Sequence, residues 1–535
     1  MQLPDQHWSP LGALDRRQFL RGMAVTGVAA GTGGLLAACT SSSSTTPRAT
    51  RTTRTIKNGG DLSAGLTGGS SSDTIDPHKG LTYLDISRIL CLYSPLVQLN
   101  AQSQVENVLA QSIEPKNSNP SEWIIKLKPG ITSHGGQPLT ANDVIYTFQR
   151  VISNDFSGAN GLGPIDLKGV KALDNLTVYV PMTQPQSTFV DRVASYYLYL
   201  CIAPAGFNPQ VPNGTGPFVY QSFAPGQRSV FTKNRTYFKP GLPHVDTLAI
   251  IDFPDTRSLQ DALISGVVQA AGTLDGPTMA ALASASNVHP LPSKTGGFEP
   301  FTMRVDQAPF SDVRVRQAMR LLVDRPQLID SALDGYGSLG NDVFSPYDPD
   351  YDTELPQREQ DIPQAKFLLK QAGQENLRLT LTTSPIATAT VAMATVLAEQ
   401  ASAAGVTVKL STVPSGTFFG KQYLSWTFAQ DYYGYAPYLA QVAQCMLPTS
   451  PFNETHEANT HYISLYTQAN ATFDVSLRRQ IEYEMQTFDY NNGGYIIPAF
   501  IDFLDAYSTK IAGYTPSSVG QPLANFGYEN FGFVS

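Results

Sequence analysis

The sequence predicts an α/β protein of more than one domain, and three observations carry that expectation. First, a strand, a helix and a strand follow one another in the second half. "LRLTLTT" (377–383) alternates, "TVAMATVLAEQASAAG" (390–405) is amphipathic and ends at Gly405, and "VTVKLSTV" (406–413) alternates again. That order describes a right-handed crossover between parallel strands. Second, 478 residues follow residue 57, too many for one hydrophobic core, so two or three domains are expected. Third, 42% hydrophobic and 10% aromatic residues against 15% charged ones fit packed interiors and argue against disorder.

The chain opens on "DRRQFLRGMAVTGVAAGTGGLLAACTSSSSTT" (15–46). Arg16 and Arg17 lead a short Gly/Ala-rich apolar stretch, the layout of a twin-arginine export signal. The stretch is a poor membrane span, which needs ~20 strongly apolar residues. It closes on Leu36-Ala37-Ala38-Cys39, which is similar to the lipobox of bacterial lipoproteins. Small residues let a peptidase close on the backbone, and the Cys39 thiol accepts the lipid. Residues 1–38 are thus expected to be a signal peptide and residues 39–57 a lipidated Ser/Thr-rich tether.

The remaining elements follow in order. "DISRILCLYSPLVQL" predicts a helix ended by Pro95. In "EWIIKLKPG", Trp123, Ile125 and Leu127 alternate with polar neighbours, a half-buried strand turned by Pro129-Gly130. Thr140 and Asp143 form a capping box with Asp in the Glu position, and Val144, Ile145, Phe148, Val151 and Ile152 make one helical face behind it. "LTVYVPM", "YYLYLCI" and "FVYQSF" read as strands, and "TRSLQDALISG" as a helix stopped at Gly266. Val315, Ala318, Met319, Leu322 and Val323 fall at helical spacing. "DIPQAKFLLKQAG" has Asp361 as cap, Pro363 in its first turn and Gly373 at its end.

Net charge is -8 with no basic stripe, which excludes a nucleic-acid binder. Beyond Cys39, Cys91, Cys201 and Cys445 remain. Cys91 and Cys201 can pair in an exported protein; the alternative is three buried small thiols. No cysteine pair has metal-ligand spacing and the seven histidines do not cluster, so neither a metal nor a cofactor is expected, and nickel binding is disfavoured. His134 reads as structural.

Seven segments in this order resemble the family 5 extracellular solute-binding proteins. They are "IDPHKG…ILCLYSPLVQLN", "WIIKLKPGITSHGGQPLTANDVIYTFQRV", "GTGPFVY", "KNRTYFKPGLPHVDTLAI", "LISGVVQA", "APFSDVRVRQAMRLLVDR" and "DIPQAKFLLKQAG". The resemblance runs from about Gly60 to the C-terminus. It implies a two-lobed periplasmic-binding-protein-like fold of class II with an extra subdomain and a hinge. Residues 58–95, 205–285 and 501–535 would form lobe I, 96–204 its inserted subdomain, and 286–500 lobe II. The implied role is a monomeric receptor, lipid-anchored outside the cytoplasmic membrane, that captures a peptide or peptide-like solute between lobes and delivers it to ABC permease subunits. An oligosaccharide, an opine or a metal chelate is the alternative ligand.

The family pairs a peptide's amine with an acid near a Gly-Trp-Gly-like stretch. The corresponding region here is "FAQDYYGYAPYLAQ" (428–441). Tyr433 stands where Trp is common and Gly434 matches, but the acid would fall near Ala436. Asp431 is the candidate substitute. Trp426, Tyr432, Tyr433, Tyr435 and Tyr438 then suggest an aromatic wall, since tyrosine offers flat apolar area with a hydroxyl. Arg304, where the family often has Asn, is a candidate for an anionic ligand group, and Tyr83 a candidate contact from lobe I. No Gly-x-Ser-x-Gly elbow or His-Glu-x-x-His motif occurs, so an exported hydrolase is disfavoured. A sensor that signals rather than feeds a transporter is a third class.

Overall fold

The computed structural model describes residues 55–387 and 389–535. The signal segment, Cys39 and the tether up to residue 54 lie outside the described residues. The tether's expected end at residue 57 is two residues too long: Ile56–Lys57 is already a strand, paired with Gly532–Val534, which also pairs with Ile511–Ala512.

A seven-stranded mixed sheet centres the first lobe. Its order is Val288–Ser293, Phe503–Ser508, Ala270–Ala271, Asp61–Thr67, Thr247–Phe253, Arg228–Lys233, Phe218–Ala224. Asp61–Thr67 runs parallel to Thr247–Phe253 and Ala270–Ala271, and its Leu62, Ala64 and Leu66 are buried. The helix Tyr83–Leu92 packs nearby, started by a Thr82/Asp85 capping box. It stops before Pro95, at Leu92. Gly214 and Gly216 of "GTGPF" let two segments meet backbone to backbone. A Cβ on Gly214 would lie 2.1 Å from the Leu92 carbonyl oxygen, and one on Gly216 2.4 Å from that of Cys91. His134 spans the same turn, its Nε2 3.0 Å from the Gly216 carbonyl.

A four-stranded antiparallel sheet, Ala110–Pro115, Glu122–Leu127, Thr177–Pro181 and Lys171–Asp174, forms the inserted part. Trp123, Ile125 and Leu127 point into its core as the alternation requires, joined by Val144, Phe148 and Val151 of the helix Ala141–Ser153. The Thr140/Asp143 capping box is present. "YYLYLCI" is not a strand. It carries a 3-10 turn, Tyr197–Tyr199, after the helix Phe189–Ser195. The stretch is buried on both sides, Tyr197 and Leu198 in the first lobe's core and Tyr196 and Leu200 in the inserted one, and such a run carries no period that separates strand from turn.

The second lobe is built on the sheet Thr407–Thr412, Arg378–Thr383, Phe428–Gln430, Phe301–Met303, Tyr495–Ile496. Arg378–Thr383 pairs in parallel with Thr407–Thr412, through the helix Thr390–Ser402, whose Met393, Ala394, Leu397 and Ala401 are fully buried. Val288–Ser293 belongs to the seven-stranded sheet, pairing with Phe503–Ser508. The change of lobe therefore falls after Ser293 rather than at residue 286. The two chain passages between lobes run side by side: the Ile501 N–H donates to Gly297 (2.8 Å), the Thr295 hydroxyl to Ile501 (2.6 Å), and Phe298 bridges Phe500.

Cys91, Cys201 and Cys445 are free and buried, so the thiol alternative holds and the Cys91–Cys201 pairing does not. Among the described residues no helix is long and apolar enough to cross a membrane.

Candidate functional site

The second lobe's parallel strands Arg378–Thr383 and Phe428–Gln430 end side by side, and ligands of open α/β sheets bind beyond the carboxyl ends of such strands. Beyond Gln430 lie Asp431 and Tyr432; beyond Thr383 lies Ser384. The chain entering this lobe runs antiparallel to Phe428–Gln430. Phe298 bridges Tyr433 and Phe301 pairs with Gln430, so Glu299 stands directly opposite Tyr432. Cross-strand partners share a face.

Tyr432 is 40% exposed, yet desolvation pushes its phenol above the ordinary range, helped by the charge of Asp431. Tyr432 is therefore partly accessible and partly surrounded by protein. From the first lobe come Tyr83, at the start of its helix, and Tyr199. Burial raises the Tyr83 phenol, and Tyr432, Tyr199 and Glu299 act on it in the same direction. Tyr199 is raised by burial and by Tyr432. Groups from both lobes thus lie within electrostatic reach of one another. Tyr83 is held edge-on to Phe503, ring centroids 5.7 Å apart.

The rest of the expected aromatic wall is core. Tyr433 stacks on Phe298 at 5.2 Å, and its hydroxyl lies 2.8 and 2.9 Å from the two Glu454 oxygens. The Tyr438 hydroxyl donates to Asp489 at 2.6 Å, and its ring stacks on Phe344. Tyr435 packs with the inserted subdomain's core and Val519. Gly434 is exposed beside Gln521 and Val519. Trp426 is half-buried, stacked on Phe418 at 6.1 Å. Three of the four tyrosines are therefore structural, because their hydroxyls or rings already have protein partners; only Tyr432 is open.

Asp431 does not present a free carboxylate. It accepts the Tyr423 hydroxyl (2.7 Å) and the Tyr432 N–H (2.8 Å). Burial raises both it and Glu454, and the Asp431 charge pushes Glu454 further. Arg304 is 8% exposed, and Asp306 holds its guanidinium at 2.9 and 2.6 Å. That internal neutralisation already balances the guanidinium charge proposed to meet an anionic ligand.

Sequence reasoning missed Tyr199 and Glu299. The register opposite the Tyr432 stretch was the only available signal, and it needs the fold. Asp348, Asp350 and Glu482 bring carboxylate oxygens within 4.8 Å of one another, but Arg479 pairs with Asp350 and Arg478 with Glu482. A cavity of about 690 Å³ lies apart from these residues, in the first lobe, between Tyr93, Gln98, Tyr237 and Glu529.

The lobes also touch outside the site. The Gln186 amide (2.5 Å) and the Thr188 hydroxyl (2.9 Å) donate to the Asn470 side-chain oxygen Oδ1, and the Ser187 hydroxyl donates to the Ala469 carbonyl (3.1 Å).

The sequence model of bacterial extracellular solute-binding proteins, family 5, matches residues 104–442. The oligopeptide-binding protein AppA of Bacillus subtilis is 25% identical over 351 residues, covering 63% of this chain and 64% of that protein. The chain thus spans less than two thirds of the length of that relative. Among solved structures, DppA of Helicobacter pylori in complex with the peptide STSA has a TM-score of 0.77 at 19% identity, over 90% of this chain and 99% of that one. AgaA of A. tumefaciens R10 in complex with agropinic acid has a TM-score of 0.77 at 21% identity, over 89% and 99%.

Proposed function

This chain belongs to the bacterial extracellular solute-binding proteins of family 5, and we propose that it is the receptor of an ABC importer that closes around a peptide or peptide-like solute. What carries the reading is the register that sets Glu299 opposite the open Tyr432 at the second lobe's strand ends, within electrostatic reach of Tyr83 and Tyr199 of the first lobe. A ligand seated there touches both lobes, so its binding energy can shift the open–closed equilibrium that a permease reads. No covalent chemistry is required, and the receptor is not an enzyme. The absence of an acid at Ala436 favours a second reading, in which the solute is a non-peptide such as an opine, an oligosaccharide or a metal chelate.

The receptor would work outside the cytoplasmic membrane, exported by the twin-arginine signal and held by lipid on Cys39. Cys39→Ala should abolish incorporation of labelled palmitate; retained label would remove the anchor. Deleting the protein should abolish uptake of its solute by the host. Tyr83→Ala should weaken binding by about 1–3 kcal/mol, the range of an interface anchor. Calorimetry on the solute co-purified from the host, identified by native mass spectrometry, measures this. Unchanged affinity moves the site away from Tyr83.

A further inference from the structure

Glu299 is 4% exposed, and its Oε2 has no hydrogen-bond partner. The carboxyl lies by the Ala389 backbone and the Thr390 side chain, both of which favour its ionised form, at the start of the helix Thr390–Ser402. A helix N-terminus favours the ionised form. No arginine or lysine is among the groups acting on it, and Arg304 is already taken by Asp306. Burial pushes the Glu299 carboxyl up to about 7. Several other interior acids are answered by protein, Asp342 by arginines, Asp73 by Arg88 and Glu454 by tyrosines, although Asp252, Asp489 and Asp505 also leave one oxygen unpaired; what sets Glu299 apart is its place opposite the open Tyr432.

The unanswered oxygen sits in the site. Glu299 is opposite Tyr432 in register and acts on Tyr83 of the other lobe. Gln430 Nε2 and Ser384 Oγ, at the same strand ends, are also buried without partners. A buried polar group is costly unless it is paired, so unpaired groups gathered at one edge mark where a ligand completes them. A carboxylate among phenol rings matches a cation, which gains from the ion pair and from the ring faces together.

We infer that Glu299 is the charged ligand contact of this cleft, and that the solute carries a cationic nitrogen, an ammonium or a guanidinium, seated between Glu299 and the rings of Tyr432 and Tyr83. This rests on the receptor reading and narrows its solute class. Asp431 was the acid that sequence suggested; it is consumed by Tyr423 and the Tyr432 backbone, and Glu299 stands across the register from the next residue, Tyr432.

The test is competitive retention by the full mature chain. The pool contains free-amine tri- and tetrapeptides, their N-acetylated twins, maltotriose, and octopine with its guanidinium replaced by a neutral urea alongside octopine itself. Bound members are read by mass spectrometry after gel filtration. Wild type should retain the cationic member of a pair at least about 30-fold over its neutral twin, the effect of removing one partner of a buried charge pair. E299Q should lose that preference while keeping its melting temperature. Should E299Q fail to fold, E299D takes its place, since it keeps the charge but withdraws it by one methylene; a reduced preference supports the assignment and an unchanged one overturns it. Cation preference that survives in folded E299Q overturns Glu299 and leaves the receptor standing. Retention of neutral members alone overturns the cationic class. Retention of nothing fails the receptor reading, and the inference falls with it.

Discussion

Replacing Asp342 with alanine should lower the unfolding free energy by about 3–5 kcal/mol, the usual consequence of stranding buried charges. Its side chain is fully buried and faces three guanidiniums: Arg325 and Arg358 at 2.8 Å, and Arg320 at 3.9 Å. It also accepts the Ile497 N–H at 2.9 Å. Burial alone would raise its carboxyl, but the three arginines overcome that and hold it below the ordinary carboxylate range. The sign of the pH dependence follows. Stability supplied by a depressed carboxyl is present above its unfolded value of ~3.9 and is lost as pH falls through the folded one. Urea titrations of wild type and D342A at pH 7 should therefore differ by the full amount, and the gap should close in acid. A difference below about 1 kcal/mol at pH 7 would show that the arginines are satisfied by backbone alone. Arg320 gives that alternative substance, since it also donates to the carbonyls of Tyr495 (3.0 Å) and Asp489 (3.2 Å).

The first lobe holds the inverse arrangement, and Arg88→Met should cost a similar ~3–5 kcal/mol. Arg88 is fully buried between two carboxylates, 2.8 Å from Asp73 and in direct contact with Asp252. The partners respond unequally. Burial would raise Asp73, but its hydrogen bonds with Arg88 and Ser70 bring it below its ordinary value, while burial lifts Asp252 to about 6 despite the same arginine. Without Arg88 the two acids face each other unscreened, and one must take a proton. Adding Asp252→Asn to R88M removes a charge and should recover part of the loss. A double variant no more stable than R88M would mean that the arginine's volume, not its charge, is what the lobe needs.

Local signals in this sequence were read well because local physics sets them. The capping residues Thr140 and Asp361, the αL stop at Gly266 and the buried alternation at Trp123–Leu127 are each decided within a few residues. The parallel pair around the helix Thr390–Ser402 followed from periodicity and order alone. The site was less legible. A tyrosine run looks the same whether its hydroxyls meet Glu454 and Asp489 or a solute, and those partners lie 21 and 51 residues away. Glu299 carries no motif at all. Its importance comes from standing across the register from Tyr432 and from what fails to reach its Oε2, and both are properties of the assembled sheet. The lobe boundary slipped because Val288–Ser293, with two prolines, looks like a linker and becomes an edge strand, where proline is tolerated.

Ile56 and Val534 are partners across one antiparallel ladder, so their Cα atoms are only about 5 Å apart. A short glycine bridge could join them, with a cut made in the exposed turn at residues 373–376. Such a circularly permuted chain would carry its new termini on the second lobe. A pair of fluorophores, one there and one in the first lobe, would then report jaw movement as a change in energy transfer.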